Sequence, residues 1–335
     1  DGFMRSWLDA LGAGASAGIS NLTDPIFANL IGAQSPGACA KCHSTEGFAD
    51  FIQDGAVNAP APIGGSVECL VCHTDPDNGT VRDHTSVVFP SGERAENLGP
   101  EAMCMECHQG RASKRDVDEA IASAGVEDED TVSPDIRFIN IHYYAAAANQ
   151  FGTIAKGGYE YDDQSYDARF SHVIGYNACN TCHNPHSLKI DINRCNTCHA
   201  GINDPKDIRY FGSFIDYDGD GNMVEGVYYE IETLTAKLYN TMKRYARNIT
   251  GFPIVYDSHA YPYFFNDTNN NGRPDESEVN YGNRYTYFSP RLLKAAYNYQ
   301  VVLKDPAGFA HGGKYLIQLM YDSIADLNEA FVNPM

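Results

Sequence analysis

Cys179-Asn-Thr-Cys182-His183-Asn-Pro-His186, with Cys195-Asn-Thr-Cys198-His199 a few residues on, decides how this chain is read. Two thiols three residues apart fall on one face of a helical turn. That spacing suits two thioether bonds to the vinyl groups on one edge of a porphyrin. The histidine after the second thiol then projects beneath the macrocycle, where its imidazole binds iron as the proximal ligand. The pattern recurs at Cys39-Ala-Lys-Cys42-His43, Cys69-Leu-Val-Cys72-His73 and Cys104-Met-Glu-Cys107-His108, and the five copies use all 10 cysteines.

One copy is an equivocal signal, because zinc ribbons and redox dithiols also pair cysteines this way. Five copies with no stray cysteine are specific. Tetrahedral zinc takes four ligands, so five units would leave one over, with surplus histidines. A disulfide inside each motif would be a strained local loop and gives no reason for the histidine. The expectation is five covalently bound haem c groups.

Five irons need five distal ligands, and six histidines lie outside the motifs: His84, His142, His172, His186, His259 and His311. His186 follows His183 by three residues, too short a segment to round the porphyrin rim, so it must serve a different haem. His142 opens the apolar, helix-favouring stretch His142-Tyr-Tyr-Ala-Ala-Ala-Ala, and His172 follows Phe170 in the run into the fourth motif. His84 has its place in the count. His311 precedes a final helix predicted over Tyr315 to Asn328, whose stripe Leu316, Leu319, Met320, Ile324 and Leu327 would hold a ligand firmly. His259 sits in a turn-rich segment where a hydrogen-bonded structural histidine is the ordinary reading. The expected distal set is therefore His84, His142, His172, His186 and His311. With every iron held by two histidines, no coordination position is open to substrate.

The fold class is mainly α with extensive coil, a haem-wrapped domain over residues 1–205 followed by a small helical domain over 206–335. Macrocycles replace much of the apolar core in the first part, and the motifs are spaced too unevenly for a solenoid. In the second, Val227, Ile231, Leu234, Leu238, Met242, Tyr245 and Ile249 recur at helical steps, and further helices are expected from Pro290 to Val302 and from near Lys314. Two acidic loops interrupt it. Asp267, Asn269, Asn271, Gly272 and Glu278 fit positions one, three, five, six and twelve of a calcium loop. Asp216, Asp218, Asp220 and Gly221 fit the first half but have Val227 at twelve, leaving a carboxylate such as Glu225 to complete the shell. Calcium is the expected second cofactor, against the alternative of solvated turns.

A formal charge of −20, falling to about −25 once five ferric haems with ionised propionates are added, makes nucleic acid a poor partner. No apolar run is long enough to span a bilayer. Covalent haem and a first residue other than Met give the expectation of a secreted protein, extracellular or at the cell surface, from which a leader has been removed. The 22 tyrosines read as packing residues.

Several stretches resemble a known family, the secreted multihaem c-type cytochromes of metal- and sulfur-respiring bacteria. They are Asn140-Ile-His142-Tyr-Tyr-Ala, Gly157-Gly-Tyr-Glu-Tyr161, His172-Val173 leading into Cys179 to His186, Ala296-Tyr-Asn-Tyr-Gln300, and Asp305-Pro-Ala-Gly-Phe-Ala-His311. The resemblance covers roughly residues 135 to 330 and implies distal ligation by the matching histidines. It also implies electron transfer to redox partners or extracellular acceptors, and, in filament-forming members, a homopolymer with a continuous haem chain. No motif distinguishes a filament subunit from a monomer. The alternative class is a multihaem reductase of nitrogen or sulfur oxyanions with one open iron, against which stand the surplus of histidines and the absence of a CxxCK variant. A calcium-stabilised binding module is the third class.

Overall fold

The computed structural model describes residues 37–58, 68–209 and 212–332. The first 36 residues of the expected haem-wrapped segment lie outside the described residues. Helix dominates over strand, and long coil links the helices. The sheets are two-stranded; His73–Asp75 pairs antiparallel with Thr80–Val81, and Ile254–Tyr256 with Phe264–Asn266. No helix among the described residues is long and apolar enough to cross a membrane.

Internal contacts divide the chain into two compact units that interleave along the sequence. The smaller takes the described residues up to Val87, together with Glu96–Cys107 and Val173–Asp191. Its helices are short, and apart from Thr45–Asp54 each carries a CxxCH turn. The longest, Thr45–Asp54, starts where the Ser44 hydroxyl accepts the Gly47 N–H and stops at Gly55 in the left-handed region, φ 75°. Gly47 is obligatory there, since a β-carbon would lie 2.5 Å from the Ala40 carbonyl of the preceding Gly37–His43 helix. Phe48, Val71 and Met103 form one apolar cluster, with Ile52 and Cys107 against it.

The larger unit takes Val88–Ala95, His108–His172 and the described residues from Ile192 onward, and holds the main apolar core. The predicted amphipathic helix runs Val227–Tyr245 and buries every expected position up to Tyr245. Ile249 falls in the π-turn Ala246–Thr250 that follows. The second helix is Pro290–Leu303, capped by Ser289, whose hydroxyl accepts the Leu292 N–H, with proline in its first turn. The third is Gly308–Val332, interrupted at Gly312, where a β-carbon would lie 2.1 Å from the Asn149 carbonyl. The stripe anticipated beyond Lys314 is buried except for the half-buried Ile324. His142 is the clear local correction. Helix begins only at Ala146, because His142 and Tyr144 take positive φ and the Asn140 side chain accepts the His142 N–H at 2.8 Å.

Several tyrosine hydroxyls inside this core are tied. Tyr297 donates to the Gly157 carbonyl at 2.8 Å, Tyr315 to Glu160 Oε1 at 2.9 Å and Tyr245 to Asp130 Oδ1 at 2.6 Å. Asn298, fully buried, accepts from the Tyr159 N–H and donates to its carbonyl, so the Gly157–Tyr161 segment is stitched to the helices like an extra strand. Burial alone stabilises by about 2 kcal/mol per such aromatic, and the satisfied hydroxyls keep that gain from being lost.

Lys304 is an exception to the rule that buried charge is paired. It is 4 % exposed, its ammonium lies 3.6 Å from the Tyr143 ring centre and 4.0 Å from that of Tyr263, and burial pulls its pKa down to about 8. Below that pH the lysine is charged in both folded and unfolded chains, so the folded state carries the desolvation cost. As pH rises from about 8 towards the unfolded value, the folded chain sheds the proton first and the cost fades. Lys304→Met is expected to stabilise the protein at pH 7 by about 2 kcal/mol, less than the full shift because two tyrosine faces hold the ammonium. Denaturant melts at pH 7 and 9.5 check this; equal pH dependence in parent and variant would rule the cost out.

Candidate haem-ligation site

Each motif is one tight turn. The histidine N–H closes it on the carbonyl of the first cysteine in the second, fourth and fifth copies, at 2.9 Å for His183 on Cys179 and 2.8 Å for His199 on Cys195. His43 and His108 end the helices Gly37–His43 and Glu101–His108. His108 Nδ1 lies 2.9 Å from the Tyr144 carbonyl oxygen and His183 Nδ1 lies 3.3 Å from that of Leu188. An Nδ1–H given to a carbonyl fixes the tautomer and leaves Nε2 as the basic nitrogen, the usual support for a metal-binding imidazole. Thiols of different copies also meet within the smaller unit. Hydrogen bonding to Cys42 and burial hold the Cys107 thiol well above its ordinary pKa, and Cys104 does the same to Cys179.

Two of the expected distal histidines stand opposite a proximal one. In the smaller unit the His73 and His186 rings are 7° from parallel with centres 6.2 Å apart. In the larger unit the His172 and His199 centres are 6.1 Å apart at 33°. Two imidazoles bound to opposite sides of one metal, each nitrogen about 2 Å from it, bring their centres to about 6 Å. Both pairs fit an iron at that separation. Burial, and then the neighbouring His199, lower the His172 pKa, which favours the neutral, metal-binding form.

The other distal candidates have different surroundings. His311 Nδ1 is 2.9 Å from Asp305 Oδ2, and Asn149 Nδ2 donates to the same oxygen at 2.8 Å. That carboxylate raises the His311 pKa against the effect of burial. His84 Nε2 lies 2.9 Å from Glu106 Oε1, a buried carboxylate that also pairs with Lys41 at 2.6 Å. The His142 ring centre is 5.5 Å from that of Tyr143. His259 is 88 % exposed beside Asp257, as expected of a turn residue.

Both acidic loops fold as turns closed by their own side chains. In the later one Asp267 accepts from the N–H groups of Asn271 at 3.0 Å and Gly272 at 2.8 Å, Asn269 Oδ1 also accepts from the Asn271 N–H, and Glu278 is buried. In the earlier one Asp216 holds Gly221 N–H at 2.8 Å, and Asp218 and Asp220 accept from the N–H groups two residues on.

Over 90 % of its length the chain is 26 % identical to the C-type polyheme cytochrome OmcB of Geobacter sulfurreducens, of which it covers 45 %. Over 97 % of its length it is 26 % identical to the C-type polyheme cytochrome OmcC of the same bacterium, of which it covers 49 %. The chain is thus similar to two C-type polyheme cytochromes. It spans about half the length of the curated relatives it matches. No protein-family profile and no solved structure matches it.

The residues missed by sequence reasoning are supporting carboxylates. Glu106 sits inside the third motif, between its cysteines, and a charged residue there was a readable signal of a buried partner. Asp305 lies six residues before His311, a spacing off the helical steps of three, four and seven, and so gave none.

Proposed function

We propose that this chain is an extracellular electron conduit carrying five covalent haem c groups. Cys39/Cys42, Cys69/Cys72, Cys104/Cys107, Cys179/Cys182 and Cys195/Cys198 hold them, with His43, His73, His108, His183 and His199 as proximal ligands. His84, His142, His172, His186 and His311 are the distal ligands. When bound, each haem supplies a one-electron ferric–ferrous couple. The chain's part is placement: His186 stands across from His73 while its neighbour His183 belongs to the fourth motif, so three residues of backbone tie two haem sites together. The paired imidazoles at 6.2 Å and 6.1 Å carry this reading. Redox partner proteins, extracellular acceptors or further copies in a homopolymer receive the electrons. Calcium in the acidic loops is part of the same proposal, the Asp267–Glu278 loop matching its full twelve-position pattern.

The test is the intact mass and ferric spectrum of the secreted protein. The expected result is five haems per chain, colour that stays with the polypeptide in acid–acetone, and wholly low-spin iron that takes no carbon monoxide when reduced. Extractable colour or a smaller haem count would overturn the ligand assignment. A high-spin fraction would favour a reductase. Negative-stain images of the same material decide between filament and dispersed particles.

A further inference from the structure

Asp218 is 4 % exposed, and its Oδ2 has no hydrogen-bond partner among the described residues. A buried carboxylate oxygen that accepts nothing is unfavourable unless a cation answers it. One carboxylate oxygen each of Asp216, Asp218 and Glu230 lie within 4.8 Å of one another, as do those of Asp218, Asp220 and Glu225. Asp218 belongs to both groups. Glu225 brings a second buried oxygen, Oε1, without a partner among the described residues.

The basic groups facing this cluster meet Glu230 or backbone, not the carboxylates of Asp216, Asp218, Asp220 or Glu225. Arg209 Nη1 donates to Glu230 Oε1 at 2.6 Å, and Lys237 donates to the Asp218 carbonyl rather than to its carboxylate. Four carboxylates are left with no cation hydrogen-bonded to them among the described residues.

The missing twelfth position has a replacement. In the Asp267 loop, Glu278 Oε1 accepts the N–H groups of the second and third residues, Thr268 at 2.7 Å and Asn269 at 3.2 Å. In the Asp216 loop, Glu230 Oε2 accepts the N–H groups of the same two positions, Tyr217 at 2.8 Å and Asp218 at 2.9 Å. Glu230 comes from the first turn of the Val227–Tyr245 helix and is fully buried. Three residues of displacement along the chain are absorbed by the helix start. Gly219 and Gly221, at φ 75° and 94°, let the backbone wrap the cluster.

We propose that Asp216, Asp218, Asp220 and Glu225 ligate a calcium ion, with Glu230 ordering the loop as Glu278 orders the other. Oxygen-only donors on a glycine-hinged loop suit a hard cation that tolerates irregular coordination, which is calcium rather than magnesium or a transition metal. This deepens the calcium reading above and is independent of the haem ligands.

The test is calorimetric titration of calcium chloride into chelator-treated, haem-loaded protein, with Asp218→Asn and Asp267→Asn variants. Asp218→Asn is expected to weaken one binding event at least tenfold, and Asp267→Asn to leave that event in place. The proposal is overturned if Asp218→Asn binds calcium as the parent does, or if the parent takes up none at millimolar calcium. Loss of an event only in Asp267→Asn would leave calcium in the later loop and remove it from this one. Should Asp218→Asn lose its parental haem spectrum, Glu225→Gln replaces it: several-fold weaker binding is expected, and unchanged binding overturns the assignment.

Discussion

His186→Ala is expected to convert one haem of five from low-spin to high-spin iron, detectable by a ferric high-spin signal and by uptake of about one carbon monoxide per reduced chain. The His73 and His186 ring planes are nearly parallel with centres at a bis-imidazole separation, so under the proposed ligation removing one would leave the iron a single protein ligand. Axial ligation moves haem potentials over about 0.8 V across proteins, so the affected haem is expected to shift upward on the order of 0.1 V as the ferric form loses its second donor. The His172/His199 pair, held in the other unit, should keep its signals. His259→Ala, at a site 88 % exposed, is the control and should leave the spectrum as it is. A His186→Ala protein that remains wholly low-spin would break the assignment of His186 to the second motif.

Haem removal should act very unevenly on the two units. In the smaller, the large buried apolar side chains among the described residues are few, Phe48, Val71, Val87, Leu98, Met103 and Met105, too little to offset the conformational entropy of ordering the segments around them. In the larger, the helices Val227–Tyr245, Pro290–Leu303 and Gly308–Val332 share a core of fully buried leucines, tyrosines and phenylalanines. In chain made without haem attachment, amides of Thr45–Asp54 and Glu101–Cys107 are expected to exchange at nearly unstructured rates. Those of the three long helices should retain protection worth several kcal/mol. Equal protection in both would show that the smaller unit folds on polypeptide contacts alone.

The CxxCH turns and the three long helices were legible in the sequence because both follow from local rules. A thiol pair three residues apart makes one helical turn, and apolar residues at steps of three and four make one buried face, as Leu234, Leu238 and Met242 do. Local rules failed at His142, where an alanine run looked helical but the Asn140 side chain and two left-handed residues hold the chain out of helix until Ala146.

By itself the sequence set out the motifs on which the proposal rests: ten cysteines in five CxxCH units and six further histidines, enough to serve as second ligands. It also excluded His186 as a ligand of the same iron as His183, since three residues cannot round a porphyrin. Only the tertiary structure decided that His73 stands opposite His186 and His199 opposite His172, that Glu230 rather than the twelfth residue closes the Asp216 loop, and that residues 108–172 pack with the C-terminal helices. The reason is distance along the chain. Spacing within one turn is fixed by backbone geometry, whereas partners separated by tens of residues are chosen by which buried surfaces and polar groups complete one another, as Asn298 does for Tyr159.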